Sequence, residues 1–406
     1  MSVTYTYAPE ATPVVRKKVK TVKTTVQPEA ATIVQPEAKQ EVKRKPLPKV
    51  AAIHPSLGSD PELFFRKGKQ ILGAELLLPR EGLKVFEGVH ETKSKWTIDG
   101  VQAELNPSVH TCRSSMASAI STSFRSLIQE LKKKDPEVTL DFSQAVEVGE
   151  ADLAQLSEES RKFGCMPSLS IYDTSKDIQI NQVDPSQYRI RAAGGHVHIG
   201  VDNYPQLVPA LTTRCKETVQ LLDIIAGNTA VIIDRSRANI ERRKLYGRAG
   251  EYRLPAHGLE YRTLSNFWLY DSRLMSLMMG LVRLAVQLSA DANHKQYYEA
   301  FFSAVPQEAI RQAINTNDLE MAMDNFLQIV PLLTQVTVNN EYGEHPVNAT
   351  NIADFYFFAD KIVEKGLTHW FKEEPSVHWQ REDLYSASGF SNFLKNTVNP
   401  ERKKAA

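Results

Sequence analysis

The sequence predicts an α+β fold, and three observations carry that prediction. Short apolar runs broken by turn residues fill the stretch from Ile53 to about residue 110 and return near 138–148, 189–201 and 250–267. Runs with apolar residues at helical spacing lie between them at 114–134 and 205–233, and continue over 274–333. The two kinds are interleaved without regular strand–helix–strand alternation, which disfavours a doubly wound parallel sheet.

Taken in order, residues 1–50 stand apart. They carry Pro at 9, 13, 28, 36, 46 and 48, almost no aromatic residues, and the phrase Val26-Gln27-Pro28-Glu29-Ala30 repeated as Val34-Gln35-Pro36-Glu37-Ala38. Such a stretch buries too little apolar area to offset its ordering entropy, so it reads as a disordered, Pro-rich basic arm. Folded sequence begins near Ile53, with strands expected at Leu76-Leu77-Leu78, at Lys84-Val85-Phe86 and from Trp96 to Leu105. The 114–134 helix places Met116, Ile120, Phe124, Leu127 and Leu131 on one face and ends in Lys132-Lys133-Lys134, which suits a helix C-terminus. Over 205–233, Leu207, Leu211, Val219, Leu222 and Ile225 mark one buried face. Residues 274–288 are apolar enough to be deeply buried. The expected organisation is therefore the arm at 1–50, a catalytic region at 51–273, a helical C-terminal part of the same domain at 274–398, and a frayed tail at 399–406.

Composition sets outer limits. Of 406 residues, 42% are hydrophobic and 24% charged, as in a globular protein, and the net charge of +1 makes no global case for a nucleic-acid or membrane partner. Only the arm, with basic clusters at 16–20 and 43–45, could touch nucleic acid or an acidic protein surface, and a solvated tail is the favoured reading. Cys112, Cys165 and Cys215 are scattered without CxxC pairing, against a disulfide scaffold or zinc knuckle. No signal peptide and no run of ~18 apolar residues is evident, so the expected location is cytoplasmic.

One pattern recurs. Residues i and i+2 of a strand share a face. Asp60 and Glu62 stand at that spacing, as do His196 and His198, Glu251 and Arg253, and Glu260 and Arg262. Between and beside them stand Val197, Ile199, Tyr252, Leu259 and Tyr261, which would face a core. Glu104, in Asp99-Gly100-Val101-Gln102-Ala103-Glu104, adds another acid. A front of carboxylates, imidazoles and guanidiniums suits Mg²⁺ or Mn²⁺ bridging nucleotide phosphates, with arginines neutralising a transferring phosphoryl group. Taken singly, each pair is more often a solvated face or a cross-strand ion pair. Four such pairs and Glu104 within about 200 residues point to one site.

The order Gly-x-Asp-Pro-Glu, Asp-Gly-x-x-x-Glu, Phe-Gly-Cys-x-Pro, Gly-Gly-His-x-His-x-Gly and Gly-x-x-Gly-Glu-Tyr-Arg…His-Gly-x-Glu-Tyr-Arg resembles the phage-encoded COOH·NH2 ligase (amidoligase type 2) family, a branch of the glutamine synthetase and glutamate–cysteine ligase fold. The resemblance covers about residues 57–270. It implies a curved, mostly antiparallel sheet with helices on its back, residues 58 to 267 forming one catalytic sheet that binds ATP and divalent metal. It also implies phosphorylation of a carboxylate, then attack of an amine on the acyl phosphate. By motif, Asp60, Glu62, Glu104, His196 and Glu260 resemble metal ligands. Arg253, Arg262 and Arg248 resemble phosphate or carboxylate clamps, with His198 and Glu251 beside the cofactor and His257 binding or shuttling a proton. Two positions depart from the pattern. Asp60 stands where two glutamates usually open the sheet, and Ser168 follows Phe163-Gly164-Cys165-Met166-Pro167 where an acid is expected, Asp173 being the nearest substitute.

The expected partners are a small-molecule or peptide carboxylate and an amine, with no membrane. A homo-oligomer follows by analogy with ring assemblies of the wider fold. Two other readings keep the fold: a kinase of guanidino groups, and a non-catalytic phage virion or assembly protein.

Overall fold

The computed structural model describes residues 46–79, 95–163, 168–173, 188–201, 204–336, 373–386 and 389. Most of the expected arm, the strand at 84–86, the turn at 164–167 and the tail at 399–406 lie outside the described residues. The last part of the expected arm does not. Val50 is fully buried and the Tyr297 hydroxyl donates to the Pro48 carbonyl at 3.1 Å, so packed chain begins by residue 46.

Twelve strands appear among the described residues: β1 (Leu57–Ser59), β2 (Glu62–Lys67), β3 (Gln70–Leu72), β4 (Lys95–Asp99), β5 (Gln102–Asn106), β6 (Thr139–Asp141), β7 (Ala145–Glu147), β8 (Leu169–Ser170), β9 (Ile190–Ala192), β10 (Val197–Gly200), β11 (Glu251–Arg253) and β12 (Gly258–Tyr261). Every pairing is antiparallel. One sheet runs β1-β10-β12-β11-β8. A second runs β3-β2-β5-β4, with β6 also on β2, and β7 pairs β9 as a ribbon. The polar motifs thus occupy two sheets rather than the single one expected. The cause is local. Pro61 has no N–H for the ladder, so the chain leaving β1 changes partners: Glu62 N donates to the Gly194 carbonyl and Leu105 N to the Pro61 carbonyl, each at 2.9 Å. The two sheets curl about that switch.

The β4–β5 hairpin turns at Asp99-Gly100, where Gly100 takes φ +61°, a conformation that costs glycine nothing. Leu76 and its neighbours form a short 3₁₀ turn, Ala74–Leu76, instead of a strand, because the Leu77 and Leu78 amides fold back onto the Ala74 carbonyl.

Helices α1 (Arg113–Lys134), α2 (Glu150–Ala154) and α3 (Glu158–Arg161) precede the ligand-rich strands β10–β12. The expected 205–233 helix is three: α4 (Leu207–Leu211), α5 (Cys215–Leu222) and α6 (Asn228–Ile233), the last two joined by a π-helical turn, Asp223–Gly227. Then come α7 (Ala238–Leu245), a 3₁₀ turn at Asn266–Tyr270, α8 (Ser272–Ala290), α9 (His294–Ala304), α10 (Gln307–Thr316) and α11 (Leu319–Gln335). Val197, Ile199, Leu259 and Tyr261 are fully buried behind β10 and β12, where α4 and α5 pack, as alternation requires. α8 is buried on nearly every side and lies in the helical layer against α1, α4, α5 and α9. By length and composition alone it could cross a membrane, but 94% of that window is buried inside the protein, as expected for 274–288.

Candidate active site

The front of the two sheets encloses a cavity of about 210 Å³. Its walls bring together Asp60, Glu62, Glu104, His196, Arg253 and Arg262, six of the residues singled out from the sequence. Thr97, Ile98 and Asp99 of β4 complete the lining.

Two groups of potential ligand atoms gather here, each within 4.8 Å of itself: Asp60, His196 and Glu260, of which Glu260 stands behind the lining residues, and Glu62, Asp99 and Glu104. In the first, His196 Nδ1 lies 3.3 Å from Asp60 Oδ1 and 3.4 Å from Glu260 Oε1. These two carboxylate oxygens are buried and make no hydrogen bond of acceptable geometry among the described residues. Gly194 makes room for the ring, since a Cβ there would sit 2.5 Å from His196 Nε2. Arg262 Nη1 approaches Glu260 Oε1 at 3.3 Å and Arg253 Nη1 approaches Glu260 Oε2 at 3.7 Å. The pairing of Arg253 with Glu260 follows from the β11–β12 register, which sets them opposite each other.

In the second group one oxygen of Glu62 is held firmly. Oε2 accepts from the Gly194 amide at 2.6 Å, the Tyr246 hydroxyl at 2.8 Å and Gln102 Nε2 at 3.3 Å. Glu104 of β5 sits opposite Glu62 of β2 and opposite Thr97 of β4, and Asp99 shares the front face with Thr97.

Crowding of carboxylates in a desolvated space shows in their ionisation. Burial, reinforced by the charges of Glu62 and Asp60, pushes the Asp99 carboxyl up to about 7. Burial and the charges of Asp60, Glu62 and Asp99 push Glu104 up to about 9. Asp60 goes the other way. Burial opposes its charge, but His196 and His198 outweigh it and hold the carboxyl well below the usual range. The donor set fits hard divalent cations: oxygens with one imidazole on one side, oxygens alone on the other, with ligand oxygens left short of partners.

The remaining sequence candidates lie further out. His198 borders the cavity through Asp60, its Nε2 3.2 Å from Asp60 Oδ2, while its Nδ1 is 3.0 Å from Nε2 of the exposed His257. Burial lowers the affinity of His198 for a proton, but the bond to Asp60 reverses this and raises its pKa. Glu251 is fully buried, accepts from the Gly247 amide at 2.7 Å and does not line the cavity. Arg248 is exposed, its Nε donates to the Arg243 carbonyl at 2.8 Å, and it is not in the cavity lining. Ser168 is buried and Asp173 exposed, neither in the lining. Sequence reading missed Asp99, Thr97 and Tyr246. The signal for Asp99 was present, since an Asp-Gly turn flanked by strand residues fixes a hairpin that puts it on the face of Glu104. For Tyr246 nothing local could have served.

Residues 183–342 match the family model described as phage phiEco32-like COOH·NH2 ligase-type 2. That region holds His196, His198 and all of 248–262, and its match to the COOH·NH2 ligase model agrees with the resemblance the motifs suggested. Asp60, Glu62, Asp99 and Glu104 lie before it and reach the site through the β1–β2 and β4–β5 strands. No curated protein sequence matches the chain. Among solved structures, the chain is similar to a bifunctional glutathione synthetase from Pasteurella multocida, at 10% identity and a TM-score of 0.43 over 86% of this chain. The chain spans 53% of that protein's length.

Proposed function

We propose that this chain is a carboxylate–amine ligase, the activity named in the description of the family model it matches over 183–342, and that it uses ATP to join an acid to an amine through an acyl phosphate. The observation that carries the reading is the cavity itself. Five carboxylates (Asp60, Glu62, Asp99, Glu104 and Glu260), His196 and two guanidiniums meet around one small space between two curled antiparallel sheets. That curl, with helices packed behind it, supports the glutamine-synthetase type of sheet.

Asp60, His196 and Glu260 would hold one divalent cation, and Glu62, Asp99 and Glu104 another. Bound there, Mg²⁺ or Mn²⁺ would neutralise phosphate oxygens and let an anionic nucleotide enter an acid-lined space. The protein's own groups do the rest. Arg253 and Arg262, drawn in by Glu260, present guanidiniums to the oxygens of a phosphoryl group or a substrate carboxylate. The Gly194 amide, Gln102 and the Tyr246 hydroxyl keep one Glu62 oxygen turned inward, leaving the other to face the ligand. Acidic walls also favour an amine as the second substrate, whose ammonium form the carboxylates attract before attack.

The test is isothermal titration of ATP into the purified protein, with Mg²⁺ and after EDTA treatment, followed by ADP release in the presence of acid–amine pairs. Metal-dependent ATP binding and amine-dependent ADP release with amide formation are expected. Phosphorylation of a guanidino acceptor without amide formation would make it a kinase. Absence of ATP binding by folded protein would overturn the ligase mechanism.

A further inference from the structure

Behind the cavity lies a contact that no motif in the sequence announced. α7 carries Arg242 and is capped at its C-terminus by Tyr246. Arg242 is fully buried. Its Nη1 donates to the Thr263 carbonyl at 3.0 Å, and its Nη2 to the carbonyls of Arg262 at 3.1 Å and Leu264 at 2.7 Å. Strand β12 ends at Tyr261, and one planar guanidinium collects these three consecutive carbonyls, of which only Leu264's also accepts a backbone amide, that of Gly195 at 3.1 Å, among the described residues. The segment it holds follows directly on Glu260.

Four residues on, the Tyr246 hydroxyl sits 2.8 Å from Glu62 Oε2 and 3.2 Å from the Ala192 carbonyl. The Arg242 guanidinium lies over the Tyr246 ring, 4.8 Å from its centroid. Gly247 keeps the pair in contact. Its φ is +84°, and a Cβ there would sit 2.1 Å from Arg242 Nη1. One short helix therefore grips the backbone beside Glu260 on one sheet and the side chain of Glu62 on the other.

We propose that Arg242 and Tyr246 are positioning residues, and that α7 is a strut setting the distance between the two cation-binding groups. The proposal rests on the reading that those groups hold divalent cations. Tyr246 orients Glu62 within its group, and Arg242 orients the strand end that carries Glu260 and Arg262. Removing a partner that orients a metal-binding side chain typically weakens metal affinity about 10–100-fold.

The experiment is Mn²⁺ titration of the metal-stripped full chain, followed by the electron paramagnetic resonance of free Mn²⁺, with thermal melting alongside. Wild type is compared with Tyr246→Phe, Arg242→Lys, Glu104→Gln and the Tyr246→Phe/Glu104→Gln double variant. Tyr246→Phe removes one oxygen atom and is expected to weaken one of two binding events about 10-fold at an unchanged melting temperature. In the Glu104→Gln background that event is already impaired, so the second change should add nothing. Arg242→Lys, which cannot span three carbonyls, should weaken the other event. Identical titrations for wild type and Tyr246→Phe would overturn the proposal. So would an equal Tyr246→Phe loss in the Glu104→Gln background, which would mark general loosening. Should Arg242→Lys fail to fold, the tyrosine variants decide alone. Wild type that binds no Mn²⁺ would remove the cation reading, and this proposal with it.

Discussion

At Glu260 an imidazole and two guanidiniums converge: His196 Nδ1 at 3.4 Å, Arg262 Nη1 at 3.3 Å and Arg253 Nη1 at 3.7 Å. Glu260→Ala removes a candidate metal-binding oxygen and leaves three positive or protonatable groups facing one another. Metal-dependent ADP release is expected to fall below detection while circular dichroism still shows folded protein, and retained turnover would sink the assignment. Arg262→Ala keeps every carboxylate and should cost about 10²–10³ in rate, measured in the same assay, if the guanidinium stabilises developing charge. These residues were legible from spacing, because i and i+2 share a face wherever a strand forms. Asp99 was not singled out although its Asp-Gly turn marks the hairpin, because its meeting with Glu104 depends on the cross-strand register that sets Thr97 opposite Glu104 in the β4–β5 ladder. Arg248 lies outside the cavity lining for the complementary reason. An arginine-rich run carries no direction, and the Arg243 carbonyl captures this one outside the cavity.

Strand β12 shows how an element turns packing into geometry. Its front carries Glu260, and from its back the Tyr261 hydroxyl donates to Asp223 Oδ1 at 2.8 Å. Asp223 opens the π-helical turn, a local widening often found near functional sites, and Gly227 in the same turn leaves room for the tyrosine hydroxyl. Burial pushes the Asp223 carboxyl from 3.8 up to about 7, against the pull of its hydrogen bonds to Tyr261 and other groups. The sign follows from linkage. Between those two values the folded state binds the proton that the unfolded state has released, so stability is full below the lower value and is lost as pH rises through the upper one. Asp223→Asn cannot ionise and keeps an acceptor for Tyr261. Melting curves from pH 4 to 8 should be flatter for this variant than for wild type, with the variant the more stable at pH 8. Equal slopes would show that Asp223 does not titrate in this range. Strand existence was readable here, but the π-helical turn was not, since the 205–233 pattern reads as one uninterrupted amphipathic helix.

At the scale of the molecule, residues distant in sequence close over one core. Trp379, fully buried, stacks on Phe124 of α1 with ring centroids 5.6 Å apart and donates its Nε1 to the Leu269 carbonyl at 2.6 Å. The Ser121 hydroxyl donates to the Trp379 carbonyl at 2.7 Å, and His378 Nε2 accepts from the Ser272 amide at 2.9 Å. The segment around Pro375–His378 is thereby bound to the start of α8, directly after the strands of the site. Trp379→Ala should cost about 3–5 kcal/mol of stability, read from denaturant unfolding, because it empties a large buried volume. A loss under 1 kcal/mol would show the segment to be a dispensable cover. The sequence by itself determined the α+β class, the apolar backs of β10 and β12, the central helix and most of the acids of the site. Each of these depends on periodicity within one element, which local backbone geometry imposes. Only the tertiary structure decided that the motifs divide between two sheets, that Asp99 joins Glu62 and Glu104, that Arg248 lies outside the cavity lining and that α7 brings Arg242 and Tyr246 to contacts on both sheets. Those outcomes depend on ladder register and on which buried carbonyls or carboxylates compete for a donor, and such choices are made by residues far apart in the chain.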